Sequence, residues 1–87
     1  MLQVAVKFVG ALREKFGPNI KVEVNEGSTI KDVILKLMDE KFKGEGRLGI
    51  MEAIDKCRVI VNGRFSDISA KVEDNAEIIF LTLMAGG

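Results

Sequence analysis

The 87 residues contain no histidine and a single cysteine, Cys57. A zinc site, a Cys-His nucleophile and an intrachain disulfide each need partners that this chain lacks, and an iron–sulfur cluster needs several thiolates. Cys57 falls in "CRVIVNG", where the alternation of apolar residues reads it as a small buried strand residue. Acidic residues mostly sit beside lysines and form no pair fit for general acid and base work. Neither "GEG" nor "GALREKFG" has the spacing of a phosphate-binding loop. The expectation is a chain with no metal and no catalytic side chains of its own.

One reactive group remains. The chain ends "AEIIFLTLMAGG", an apolar run followed by Gly86 and Gly87 with no polar tail behind them. A frayed terminus is the simplest account of two glycines. The chemical account is that residues without a Cβ can pass through a channel too narrow for other side chains. They would carry the α-carboxylate of Gly87 into another protein's site, with Ala85 and Gly86 as the slim approach. A carboxylate is inert toward nucleophiles until activated, most simply by ATP to an acyl adenylate. No cofactor need be bound permanently, and the groups that use the ATP would belong to a partner.

Presenting that carboxylate requires a scaffold that ends at the right place. With 47% hydrophobic residues, 30% charged residues and one proline, the composition predicts one domain over residues 1–87. A domain so small has little room for a deep cavity, so its chemistry belongs on the surface or at an end. "LQVAVKFV" (2–9) predicts a first strand with Leu2, Val4, Val6 and Phe8 on one face. Gly17-Pro18-Asn19 predicts a turn, and "IKVEV" (20–24) a second, half-exposed strand that closes a wide hairpin. Thr29 or Ser28 caps a helix, with Asp32 three residues after Thr29. Ile30, Val33, Ile34, Leu37, Met38 and Phe42 form its apolar stripe, and Gly44 and Gly46 end it. The stretch 47–56 reads as a short helix or a packed loop. "CRVIVNG" is a third strand ending in an Asn62-Gly63 turn, "RFSDIS" a short edge strand or loop, and "EIIFLTLM" the last strand after a turn at 73–75.

The economical packing of these elements is an α+β arrangement, a mixed sheet covered on one face by a single long helix. The first and last strands are the most apolar, so they belong side by side and parallel in the centre. If Ile78 and Phe80 face the helix, Ile79, Leu81 and Leu83 face away, and Val9 and Phe65 extend that second face into an apolar patch. Such a patch marks a partner surface unless residues 47–54 fold over it. Thirteen basic residues balance thirteen acidic ones without a basic stripe, which disfavours nucleic acid as that partner. No apolar stretch approaches the ~20 residues that span a bilayer, and the N-terminus has no leader pattern. A cytoplasmic location follows as the default.

The "GALRE" stretch after the first strand, "VIVNG" in the third, the "VEDNAEI" turn and the terminal "AGG" together resemble the MoaD/ThiS sulfur carriers among ubiquitin-like proteins, closer to MoaD. The resemblance covers essentially the whole chain. It implies a β-grasp fold and a Gly87 that an E1-like enzyme adenylates and that then becomes a thiocarboxylate. In MoaD-like proteins, the small subunits of molybdopterin synthase, the tail enters a MoaE-like large subunit and donates sulfur to the pterin. Val9, Phe65 and Leu81 fall at the family's partner-facing positions. Related proteins serve thiamine synthesis, tungsten pterin, tRNA thiolation or conjugation to target lysines. This sequence departs from MoaD-like tails at Thr82-Leu83, where a proline pair is common, and at Asn75-Ala76, where Gly-Asp is usual. Residues 43–56 form a slight expansion.

Overall fold

Alternation along β1 (Leu2–Val9) turns Val4, Val6 and Phe8 to one face, and all three are buried in the computed structural model, which describes residues 1–10, 13–17, 19–41 and 47–82. Its partner β2 (Asn19–Val24) runs antiparallel, with Val4 opposite Val22 and Val6 opposite Ile20. Ahead of the expected turn at Gly17-Pro18-Asn19, whose Pro18 lies outside the described residues, the wide hairpin also holds one helical turn, α1 (Arg13–Phe16). It is closed by Arg13 N–H donating to the Gly10 carbonyl and Gly17 N–H to that of Arg13, at 3.1 and 2.8 Å. Its effect is to lay Phe16 on Phe8, with ring centroids 4.5 Å apart and planes 10° from parallel. Four residues are too few for a helical period to show in sequence.

The apolar stripe becomes α2 (Ile30–Lys41), whose Ile30, Val33, Ile34, Leu37 and Met38 are all buried. Thr29 is its cap, and the reciprocal bonds with Asp32 form: Thr29 N–H and its hydroxyl donate to Asp32 Oδ2, and Asp32 N–H donates to Thr29 Oγ1. The covering helix has 12 residues, shorter than the long one expected, and the short helix read in 47–56 forms as α3 (Arg47–Asp55), nine residues that cover the sheet beside it. Phe42, Gly44 and Gly46 lie outside the described residues.

After α3 come β3 (Cys57–Val61), β4 (Arg64–Ser66) and β5 (Ala76–Thr82). Asn62 and Gly63 both take positive φ, 49° and 84°, as a two-residue hairpin turn of the primed kind requires. The sheet order is β2-β1-β5-β3-β4, with β1 and β5 parallel in the middle and β3 antiparallel to β5. Buried residues of β1, β5, α2 and α3 join one cluster in which Phe80 lies against Phe8, ring centroids 5.3 Å apart. This is the mixed, helix-covered sheet of a β-grasp fold. Among the described residues, no helix is long and apolar enough to cross a membrane.

Candidate functional site

Because residues paired across a sheet share a face, the register assigns the surface opposite the helices. Val9 pairs with Leu81, and Leu81 with Arg58. One row further in, Lys7 pairs with Ile79, Ile79 with Ile60, and Ile60 with Phe65. Val9, Leu81, Ile79 and Phe65, expected together from alternation, therefore do lie on one face, spread over four strands and about 15 Å. Phe65 is 74% exposed and Val9 47%, while Ile79 and Leu81 are half-buried between neighbouring strands. Leu83, Ala85, Gly86 and Gly87 lie outside the described residues.

Ile60 completes the patch by bridging Ile79 and Phe65, and sequence reasoning did not single it out. In "CRVIV" it is flanked by Val59 and Val61, so composition alone does not say which of the three faces outward. The pairing with Ile79 would have identified it. The segment 47–54 does not cover this face. Ile54 of α3 is buried in the core cluster with Val59 and Phe80, and Met51 and Ala53 pack against that cluster, on the same side of the sheet as α2. A charged border flanks the patch, where Lys7 Nζ lies 3.3 Å from Glu77 Oε2 with both side chains nearly half exposed. Such a pair contributes at most about 1 kcal/mol, so its main effect is to limit the apolar area.

At the end of the sheet where the patch stops, three chain segments converge. Thr82, the last residue of β5, pairs with Cys57, the first of β3. Cys57 Sγ lies 3.4 Å from Thr82 Oγ1 and donates to the Ala53 carbonyl at 3.3 Å. Burial pushes the Cys57 thiol above its ordinary pKa, opposed in part by the Thr82 hydroxyl, which favours the thiolate. Cys57 itself is half-buried rather than fully so. On the other side, Gly10 follows the last parallel pair, Val9 with Leu81, and takes φ +102°.

Two surface depressions have volumes of about 130 and 160 Å³, below the ~300 Å³ at which small-molecule sites begin. The second is bordered by Ile54, Cys57 and Ile68. Among the described residues no group of three or more Cys, Asp or Glu is placed to hold a metal ion. The distinctive chemistry of this surface is an open apolar face that stops where the chain leaves β5.

The sequence model of a family described as the ThiS family matches residues 6–87. No curated protein matches the chain. Among solved structures, SAMP1 from Haloferax volcanii is 22% identical with TM-score 0.77, covering 98% of this chain and 99% of that one. A protein from Pyrococcus furiosus described as a putative molybdopterin converting factor, subunit 1, is 26% identical with TM-score 0.69, covering 94% of this chain and 98% of that one. Subunit 1 or 2 of the molybdopterin-converting factor of Helicobacter pylori, solved as a complex of the two subunits, is similar at 23% identity and TM-score 0.62, covering 99% of this chain and 100% of that one.

Proposed function

Since the chain belongs to the ThiS family, we propose that it is a sulfur carrier whose reacting group is the carboxylate of Gly87 and whose sulfur is used in building the pterin of the molybdenum or tungsten cofactor. The observation that carries this reading is the placement of an open apolar face, Val9, Leu81, Ile79 and Phe65, beside the point where β5 hands over to the final residues. That face would dock the chain, and the final residues would bring Gly87 to the partner's catalytic groups.

The chemistry divides into an adenylyl transfer and an acyl transfer. An oxygen of the Gly87 carboxylate attacks the α-phosphorus of ATP within an E1-like enzyme; a C–O–P anhydride forms and pyrophosphate leaves. A hydrosulfide-equivalent sulfur then attacks the carbonyl carbon, a C–S bond forms, AMP leaves, and Gly87 ends as a thiocarboxylate. Sulfur transfer would follow in a MoaE-like large subunit. The Pyrococcus furiosus relative, described as a putative molybdopterin converting factor, subunit 1, is what supports that acceptor. The same activated Gly87 could instead meet a lysine amine, which would make the chain a ubiquitin-like modifier.

Intact mass separates these fates. The chain is incubated with an E1-like adenylating enzyme, ATP and sodium sulfide, with and without a lysate of potential targets. Exchange of one oxygen for sulfur at Gly87 supports the carrier. Lysine-linked adducts in place of that exchange support the modifier, and no ATP-dependent change with any candidate activator defeats both.

A further inference from the structure

Resting on the reading of Gly87 as the reacting end, we infer that Gly10 is a positioning residue: by admitting Thr82 into contact with its own backbone, it fixes the point from which the chain continues to Gly87. The argument begins with space. A Cβ on Gly10 would lie 2.8 Å from the carbonyl oxygen of Thr82 and 2.9 Å from its Cβ. Both atoms belong to the body of Thr82 and not to a flexible side-chain tip, so Thr82 itself would have to move. The φ of +102° adds a second demand for glycine at this position.

The opposite flank of Thr82 is also held. Its hydroxyl meets Cys57 Sγ at 3.4 Å, and Cys57 is in turn tied to the Ala53 carbonyl at the end of α3. Gly10 is fixed from its own side, because its carbonyl accepts from Arg13 N–H at 3.1 Å and so closes the turn of α1. The last described residue of β5 is therefore gripped between the end of β1 and the start of β3. Leu83 is bonded to it, and Gly87 is five residues further along. A rigid departure point lets a short, slender segment reach a partner's site in one direction, which matters because a misplacement of 1 Å at a reacting centre can cost ~100-fold in rate.

Three variants test this. Gly10→Ala introduces the clash. Thr82→Gly removes both the Cβ that Gly10 abuts and the hydroxyl that Cys57 meets, with no clash. Gly27→Ala is the control: that glycine also has positive φ, +85°, but a methyl group there would meet no atom within 4 Å, so the substitution imposes backbone strain away from β5. Adenylation is followed by ATP–pyrophosphate exchange with the E1-like enzyme, using the chain as the varied substrate. Amide NMR spectra of each free protein are compared.

Gly10→Ala and Thr82→Gly should lower kcat about tenfold or more, with KM within about twofold because Val9, Leu81 and Phe65 still dock. Gly27→Ala should leave both constants unchanged at a comparable loss of melting temperature. In the spectra, Gly10→Ala should move the amides of Thr82 and of residues after it while those of α2 stay in place. An unmoved Thr82 amide, a rise in KM with kcat retained, or an equal loss in Gly27→Ala would overturn the positioning role. Should Gly10→Ala fail to fold, Thr82→Gly decides by the same constants. A wild-type chain that no such enzyme adenylates overturns the parent reading and the role with it, whereas full activity in both variants overturns the role alone.

Discussion

Cys57 shows how a residue without a catalytic task can still report on the site. Its thiol is held above its ordinary pKa chiefly by burial, and the Thr82 hydroxyl pulls the other way. The folded chain therefore keeps that proton to higher pH than the unfolded chain does. The stability contributed by the protonated thiol is complete below the unfolded pKa and is lost as pH rises through the folded one, so the effect appears only in the alkaline range. Alkylation by iodoacetamide follows the thiolate, so its rate in the native protein should rise at a higher pH than in the urea-unfolded chain. Thr82→Val removes the hydroxyl while keeping the shape, and should move that rise higher still. A native midpoint at or below the unfolded one, or faster labelling in Thr82→Val across the range, would contradict the placement of these two side chains. Sequence marked Cys57 as a buried strand residue, and the half-buried position it has is a consequence of sitting at the open end of β3, which no local pattern reveals.

At the scale of elements, α2 was the most legible part of the chain. Its stripe from Ile30 to Met38 has one period only, and the Thr29 and Asp32 pair marks its start. What sequence did not disclose is how the rest of that first turn is satisfied. Ile30 N–H donates to the Ala70 carbonyl and Lys31 N–H to that of Ile68, both at 2.9 Å, while Asp32 N–H uses Thr29 Oγ1. The otherwise irregular segment 67–72 thus supplies acceptors that a helix start normally lacks. It is pinned in turn by the Val72 N–H bond to the Ser28 carbonyl and by Asp67, whose carboxylate accepts from Ser69. Such a tertiary cap has no signature in spacing, and the same is true of α1, where a single turn was hidden inside an expected loop. Thr29→Ala should cost about 1 kcal/mol, a drop of roughly 4–8 °C in melting temperature for a domain of this size. Asp32→Ala should cost a similar amount, and the double variant less than the sum, since each residue bonds the other. Additive losses in thermal unfolding would mean the two side chains act separately.

For the molecule as a whole, the sheet order separates recognition from reaction. The helices occupy one face, the apolar patch the other, and the parallel pair β1 and β5 ends beside both Gly10 and the start of the final segment. The central parallel pair was readable because these two strands are the most apolar of the chain, with Val4, Val6, Phe8 and Val9 in one and the run Ile78 to Leu81 in the other. The convergence of Gly10, Cys57 and Thr82 was not readable, because it joins positions 47 and 25 residues apart through register alone. If docking and chemistry reside in these different places, two variants should fail in different ways. Phe65→Ser alters a side chain that is 74% exposed, so the folded state should change by less than about 0.5 kcal/mol. Its affinity for a MoaE-like subunit or an E1-like enzyme should fall about fivefold or more, as expected for an aromatic anchor. A chain carrying one alanine after Gly87 should show the reverse, with binding and melting temperature kept but no ATP-dependent mass change, because an amide replaces the carboxylate that must attack ATP. Calorimetric titration and intact mass on the same samples decide the matter. Unchanged affinity in Phe65→Ser would remove the outer face from recognition, and sulfur gained by the extended chain without trimming would remove Gly87 from the chemistry.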